Sequence, residues 1–211
     1  WFAAHGTPRS PGTRVHSVSG DCARPGVYEY PMGLSVQELL DACGAQNPQA
    51  VQVSGPSGTL LGPSEFHRKL SFEDVPTAGA FIVFGPERDL LDVSVNFAHF
   101  FAHESCGFCT PCRVGTTLLK NSLDAIAAGR GTRRDLKVAL RLARLMRDAS
   151  HCTLGHTACT HFLALTEKFK PTIDRRLSSL EFLPTFNLDD ALAAAREVTG
   201  RDDHQAHLED A

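Results

Sequence analysis

Four cysteines with an uneven spacing constrain this chain more than any other feature of its sequence. Cys106-Gly-Phe-Cys109-Thr-Pro-Cys112 places three thiols at two-residue intervals, and Cys152 follows forty residues after the triplet. Three closely spaced thiols can surround one face of a cube-shaped iron–sulfur cluster, while a distant fourth thiol completes the ligand set. The spacing therefore predicts a [4Fe–4S] cluster held by Cys106, Cys109, Cys112 and Cys152.

Two other uses of these cysteines are weighed against the cluster. A tetrahedral zinc is usually bound by two separated cysteine pairs, and a zinc-stabilised interaction module stays open as an alternative. Disulfides are disfavoured because the chain has seven cysteines, an odd number, and no secretory signal. Cys22, Cys43 and Cys159 have no partner at ligand spacing. Cys159 could compete with Cys152 as the fourth ligand, but buried packing within a helix is the favoured interpretation.

The bulk composition argues against several classes of protein. A formal net charge of −3 at pH 7 disfavours a nucleic-acid or membrane-surface partner. The sequence contains no run of about eighteen apolar residues, so no direct membrane contact is expected. A hydrophobic content of 42% in 211 residues is enough for one large or two small domains. A cytoplasmic location is the expectation.

Hydrophobic patterns divide the chain into a strand-rich part and a helical part, which predicts an α+β fold. Residues 1–13 are rich in glycine and proline and are interpreted as an irregular linker. Residues 14–88 are predicted to form a small β-grasp domain, in which one helix crosses a mixed sheet. Its predicted elements are strands at 14–20, 27–30, 50–54 and 80–84 and a helix at 35–43.

Helical periodicity takes over at residue 89, and residues 89–180 are predicted to form the helical domain that carries the cysteines. Two of its helices are joined by a turn at 129–134 and have nearly equal lengths at 1.5 Å per residue. They can therefore return Cys152 to the level of the triplet. Residues 181–211 are predicted to be a tail with a short helix. The first predicted helix begins near residue 89 and ends near Glu104. The other predicted helices cover 111–128, 135–149, 158–169 and 187–198.

The sequence offers no catalytic residues of its own. It contains no nucleophile–base pair, no Walker loop and no Gly-x-Gly-x-x-Gly element that would indicate a nucleotide site. The turn at Ser54–Gly58 could accommodate a phosphate, but a connection between two strands is the commoner use of such residues. No substrate site is therefore predicted within the chain.

Two segments resemble a known family. His103-Glu-Ser-Cys-Gly-Phe-Cys-Thr-Pro-Cys-Arg-Val-Gly115 and Ser150-His-Cys-Thr-Leu-Gly155 closely resemble the NADH-binding flavoprotein subunit of respiratory complex I and its relatives. The resemblance implies a four-helix bundle that binds a [4Fe–4S] cluster through Cys106, Cys109, Cys112 and Cys152. The segment 12–29 resembles the β-grasp domain of that family, which is of the soluble-ligand-binding type.

The same resemblance implies an electron-relay function and a longer parent protein. The family's flavin- and NADH-binding domain is expected to precede Trp1, so that FMN and NAD(H) would be bound outside this chain. Phe108, the phrase Ser150-His-Cys and the segment 181–189 are most similar to the diaphorase large subunit of NAD-reducing hydrogenases. Implied partners are the iron–sulfur diaphorase small subunit and the hydrogenase subunits. NAD-dependent formate dehydrogenase and complex I remain alternatives for the parent assembly.

Overall fold

The computed structural model describes residues 1–179 and 188–202, and these contain one five-stranded sheet followed by a set of helices. The expected segregation of strands and helices along the chain is confirmed. The strands are β1 (Thr13–Gly20), β2 (Gly26–Pro31), β3 (Ala50–Val53), β4 (Thr59–Leu61) and β5 (Ala80–Phe84). The helices are α1 (Val36–Cys43), α2 (Leu90–Glu104), α3 (Thr110–Ala127), α4 (Arg133–Ala149), α5 (Thr153–Thr157), α6 (Thr160–Lys168), α7 (Lys170–Asp174) and α8 (Leu188–Thr199).

The sheet has the strand order β2-β1-β5-β3-β4. Two of the predicted strands, β1 and β2, pair antiparallel. β1 also pairs in parallel with β5, while β3 lies antiparallel to both β5 and β4. The sheet is thus mixed, as expected, and its central strand β5 is the apolar run Ala80–Phe84. The sequence pattern does not predict β4, because its three residues fall in a stretch without regular periodicity.

Helix α1 covers one face of the sheet. Ser35 and Glu38 form a capping box, and Gly44 ends the helix in a left-handed conformation with φ +69°. The buried side chains of α1 pack against alternate residues of β3 and β5. This first core includes Val36, Leu39, Leu40, Cys43, Val51, Val53, Phe81 and Val83.

The opposite face of the sheet is covered by helices. Ala50, Leu60 and Phe84 belong to one hydrophobic cluster with residues of the helical part, among them Leu90, Leu91, Leu119, Leu123, Ile126, Phe162 and Leu165. Lys168, at the end of α6, adds polar contacts across the junction. Its Nζ donates to the carbonyl of Leu60 at 2.9 Å and lies 2.7 Å from a carboxylate oxygen of Glu65. The sheet is therefore held between α1 and the helical layer.

The helical part follows the predicted boundaries closely. Thr132 and Asp135 form a capping box that starts α4, and Asp89 caps α2 by accepting from the amide of Leu91 at 2.8 Å. The segment predicted as one helix at 158–169 is α6, with the short helices α5 and α7 before and after it. Pro171 lies in the first turn of α7, where its missing N–H is tolerated. No helix among residues 1–179 and 188–202 has the length and apolar character needed to cross a membrane.

The sequence predicts an irregular linker at 1–13 and a tail with a short helix at 181–211. The N-terminal segment is irregular, as predicted, and it contacts the loop between β4 and β5. Ser10 is fully buried, and its hydroxyl, like that of Thr7, donates to the carboxylate of Glu73. The predicted tail helix is confirmed as α8. Residues 180–187 and 203–211, which belong to the predicted tail and the junction before it, lie outside the described residues.

Candidate iron–sulfur site

Helix boundaries position the four predicted ligand cysteines. Cys106 lies in the loop between α2 and α3, and Cys109 is the N-cap residue of α3. Cys112 lies in the first turn of α3, where its side chain is buried. Cys152 is the N-cap residue of the short helix α5, directly after α4. The two segments of chain that carry cysteines therefore meet at one end of the α3–α4 pair.

The four cysteines line one cavity of about 310 Å³, which is partly open to solvent because Cys106 and Cys152 are exposed. Its remaining walls are formed by Glu104, Phe108, His151 and Leu154. The aromatic rings of Phe108 and His151 lie with their centroids 5.5 Å apart at this cavity. The structure thus brings together all four residues that the spacing predicted, although they are separated by up to forty-six positions in the sequence.

Polar contacts distinguish two of these thiols. The backbone N–H of His151 donates to Cys109 Sγ at 3.5 Å, and this bond lowers the pKa of Cys109. Burial raises the pKa of Cys112, and negative charge on Cys109, Cys152 and Cys106 acts in the same direction. Ser105 opposes that rise, because its hydroxyl lies 3.3 Å from Cys112 Sγ. Four thiolates this close repel one another, so a cationic centre among them would be stabilising.

The loop around the triplet is shaped by its non-cysteine residues. Gly107 has φ +76°, a left-handed conformation that glycine adopts without strain. The guanidinium Nη1 of Arg113 donates to the carbonyl of Gly107 at 2.8 Å and closes the loop back onto α3. The N-terminus of α3 also directs free amides and the positive end of its dipole towards the cysteines. These features favour negative charge in the cavity.

The Cys152 side of the cavity is closely packed. A Cβ atom on Gly155 would lie 2.4 Å from both Cβ and Oγ of Ser150 and 3.1 Å from Cβ of Cys112. His156 connects α5 to the end of α4, because its Nδ1 lies 2.5 Å from the carbonyl oxygen of Arg147. The loop that holds Cys152 is therefore fixed against α3 on one side and against α4 on the other.

The donor set fits a cluster better than a single ion. A mononuclear zinc needs four donors at about 2.0–2.3 Å from one point. Among the residues that the structure describes, no three His, Cys, Asp or Glu side chains are gathered tightly enough to hold one metal ion. In a cube-shaped cluster each iron takes one cysteine, so four thiols spread around a larger volume. A 310 Å³ cavity with one cysteine contributed from each of four positions has that arrangement.

The remaining cysteines lie away from this cavity. Cys159 is fully buried in the core between the sheet and the helices, and this burial raises its pKa. Its predicted packing position is confirmed. Cys22 and Cys43 lie on the other side of the sheet, beside α1. Sequence reasoning did not identify Ser105 or Leu154 as part of the site, since neither residue type is distinctive near a cysteine.

Comparison with known families identifies the helical part. Residues 92–176 match the NADH-ubiquinone oxidoreductase-F iron–sulfur binding region, and residues 15–61 match the SLBB domain. The first match covers the four cysteines and supports the predicted [4Fe–4S] cluster. The helical part is therefore an iron–sulfur binding region of this type.

Individual relatives of the chain include subunits of NAD-reducing hydrogenase and of NADH-quinone oxidoreductase. The chain is 42% identical to the NAD-reducing hydrogenase HoxS subunit alpha of Cupriavidus necator, over 91% of this chain and 32% of that protein. It is 32% identical to a subunit of the NADH-quinone oxidoreductase of Mycobacterium tuberculosis, over 81% of this chain and 40% of the relative. A crystal structure of NAD⁺-reducing [NiFe]-hydrogenase in the H₂-reduced state superposes with a TM-score of 0.86 and 46% identity, covering 99% of this chain and 37% of that one.

The chain belongs to the family of NADH-binding flavoprotein subunits of complex I and NAD-reducing hydrogenases, and the resemblance seen in the sequence is confirmed. It spans about a third of the length of the hydrogenase relatives that it matches, 32% of one and 37% of another.

Proposed function

We propose that this chain relays single electrons in an NAD(H)-linked diaphorase subunit, between a flavin bound elsewhere in the subunit and iron–sulfur clusters of a partner. The observation that carries the proposal is the cavity lined by Cys106, Cys109, Cys112 and Cys152, inside the region matched as iron–sulfur binding. These four thiolates are the proposed ligands. We assign no catalytic role to the residues that the structure describes.

The residues around the cavity have distinct roles in this proposal. A [4Fe–4S] cluster, when bound, supplies reversible one-electron transfer. The His151 amide and the Ser105 hydroxyl stabilise negative charge on the sulfurs of Cys109 and Cys112. Phe108 and Leu154 form apolar walls of the cavity, and Arg113 holds the loop between the first two cysteines. Together they keep the ligands in one arrangement in both charge states.

We also propose a division of the chain into two domains with a linker and a tail. We take residues 14–88 as a β-grasp domain and residues 89–180 as a four-helix bundle, joined to a preceding segment through residues 1–13 and followed by a tail at 181–211. The mixed sheet crossed by α1 and the match of residues 15–61 to the SLBB domain support the first assignment. The contacts among α2, α3, α4 and α6 support the second.

The parent assembly is proposed from the relatives. The greater identity to the HoxS alpha subunit than to the complex I subunits favours an NAD-reducing hydrogenase. The proposed partners are then its iron–sulfur diaphorase small subunit and hydrogenase subunits, in the cytoplasm. FMN and NAD(H) would be bound by a part of the parent protein outside this chain. The equivalent subunit of complex I or of a formate dehydrogenase is the alternative.

Metal and sulfide analysis tests the ligand assignment directly. After anaerobic reconstitution with iron and sulfide, we expect about four iron atoms and four sulfides per chain and a paramagnetic signal on one-electron reduction. Cys109→Ala should lose the stable four-iron form, whereas Cys22→Ala, which removes a thiol on the far side of the sheet, should retain it. About one zinc per chain with no acid-labile sulfide would overturn the proposal in favour of the zinc module.

The relay itself is tested in the full-length subunit with its flavin and its partner. Cys109→Ala should leave flavin reduction by NADH intact and strongly slow electron passage to the partner's clusters. Undiminished passage would contradict the relay and leave the cluster a structural role.

A further inference from the structure

A second pair of cysteines lies on the face of the sheet opposite the candidate iron–sulfur site. Cys22 follows β1 and Cys43 ends α1, and the backbones on either side of them are paired. The amide of Arg24 donates to the carbonyl of Cys43 at 2.9 Å, and the amide of Ala23 donates to that of Gly44 at 3.2 Å. The pKa of Cys43 is raised by burial and in part by negative charge on Cys22, which is a close neighbour. Both are free thiols in this structure, and neither lines the cavity of the candidate site.

The two thiols differ in access to solvent. Cys43 is fully buried, and its Sγ also donates to the carbonyl of Leu40 at 3.2 Å. Burial raises the pKa of Cys43, and the neighbouring Cys22 adds to the effect. Cys22 is only partly buried and lines an open cavity of about 480 Å³ together with Asp21, Gly44 and Arg88. A small reagent that enters the cavity therefore contacts the Cys22 thiol before the buried Cys43 thiol.

We propose that Cys22 and Cys43 form a redox-active dithiol that a low-molecular-weight disulfide such as glutathione disulfide oxidises to an intramolecular disulfide. The Cys22 thiolate attacks one sulfur of glutathione disulfide, whose S–S bond breaks, and a mixed disulfide forms as one glutathione leaves. Cys43 then loses its proton and attacks the Cys22 sulfur, which releases the second glutathione. Two protein thiols are thereby oxidised by two electrons, and glutathione disulfide is reduced to two glutathione molecules that take up the two protons.

The position of this dithiol gives the oxidation a structural consequence. Asp21, adjacent to Cys22, accepts from the guanidinium of Arg88 at 2.8 and 2.9 Å and from the amide of Gly85 at 2.9 Å. Arg88 immediately precedes Asp89, which caps α2. A Cys22–Cys43 disulfide would tie the turn after β1 to the end of α1, at the place where the sheet connects to the helices.

The sequence allows a direct readout of this oxidation. Tryptic cleavage after Arg14 and Arg68 releases the peptide 15–68, because the bond after Arg24 precedes Pro25 and resists trypsin. Cys22 and Cys43 are the only cysteines in that peptide. The cluster-loaded chain is exposed anaerobically to glutathione disulfide, and the remaining thiols are alkylated in denaturant before digestion. We expect the peptide to lose both alkyl groups and to weigh two hydrogens less than the dithiol form.

Variants distinguish formation of the intramolecular disulfide from attachment of a single glutathione to Cys22. Cys43→Ala should stop at a single glutathione adduct on Cys22, and Cys22→Ala should leave Cys43 free and alkylated. Cys159→Ala, which removes another buried thiol, should leave the behaviour of the peptide unchanged. Recovery of the wild-type peptide with both cysteines alkylated, or with glutathione retained on Cys22, would overturn the proposal.

Discussion

Gly115 in α3 lies directly against the side chain of Met146 in α4: a Cβ atom on Gly115 would be 2.3 Å from Met146 Cγ and 2.5 Å from its sulfur. Met146 is fully buried, so its side chain has little room to move. Helix α3 begins with the turn that holds Cys112, and α4 leads to Cys152. This contact therefore sets how closely the two cysteine-bearing segments approach each other.

Gly115→Ala should destabilise the protein by about 1–3 kcal/mol, because the added methyl group forces Met146 or the helix axes to shift. Chemical denaturation measures the loss. Gly26→Ala is the matched control, since a Cβ at that position would meet no atom within 4 Å. It should change the free energy of unfolding by less than about 0.5 kcal/mol. Equal stability of the two variants would contradict the close packing described for α3 and α4.

Gly155→Ala should impair cluster binding more than it impairs folding. The added Cβ would overlap Ser150 at 2.4 Å and press on Cβ of Cys112 at 3.1 Å, so the loop carrying Cys152 must move. We expect fewer iron atoms and sulfides per chain after reconstitution, together with faster loss of the visible absorbance in air. Secondary structure measured by circular dichroism should stay close to that of the wild type. Full occupancy with unchanged air stability would show that the loop adapts.

His161 should make the protein sensitive to mild acid. Its ring is buried, its Nδ1 lies 2.6 Å from the Ser94 hydroxyl, and burial lowers its pKa from 6.5 to about 4. Because the unfolded chain binds this proton near pH 6.5 and the folded chain does not, the stability is present above that pH. It is lost as the pH falls from about 6.5 towards 4, by at most about 3 kcal/mol for a shift of this size.

The variant His161→Gln isolates this contribution. Its free energy of unfolding should fall less between about pH 7 and about pH 4.5 than that of the wild type, whatever its value at neutral pH. His16, whose pKa burial also lowers to about 4, contributes equally to both proteins and cancels in the comparison. Acid damage to a bound cluster cancels in the same way. Parallel pH profiles for the two proteins would exclude a buried neutral His161.

Lys168→Met should weaken the junction between the sheet and α6. The ammonium group contacts both the carbonyl of Leu60 and the carboxylate of Glu65. Its removal leaves the Leu60 carbonyl without this donor and the Glu65 carboxylate with one positive charge fewer beside it. We expect a loss of about 1–3 kcal/mol in denaturation experiments. Lys170→Met removes an exposed lysine two residues further on and should be close to neutral. A neutral Lys168→Met would mean that the apolar contacts alone hold the junction.

Much of the fold follows from local sequence signals, and the remainder depends on contacts between distant residues. The Ser35 capping box and the Gly44 stop predict α1, because both signals act within one turn of helix. β4 escapes prediction because three residues have no readable period, and its pairing with β3 is what makes it a strand. The parallel pairing of β1 with β5 joins residues more than sixty positions apart. No local pattern encodes such a neighbour.

The candidate site likewise combines features that the sequence predicts with features that depend on the folded structure. The triplet at Cys106–Cys112 is readable because its spacing is itself the signal, and the matched lengths of α3 and α4 bring Cys152 to it. The contribution of the His151 amide could not be foreseen, since any residue at that position other than proline carries a backbone N–H. What matters is where the end of α4 points that N–H, which places it 3.5 Å from Cys109 Sγ.

The hydrophobic cluster that runs from Ala50 and Phe84 in the sheet to Leu119 and Ile126 in α3 has a thermodynamic consequence. Because both parts rest on one interior, neither can open without exposing apolar surface of the other, and they should unfold in a single cooperative transition. The colour of a bound cluster would then report on the whole molecule. A destabilising substitution in a strand would then bleach a cluster bound at the N-terminal end of α3.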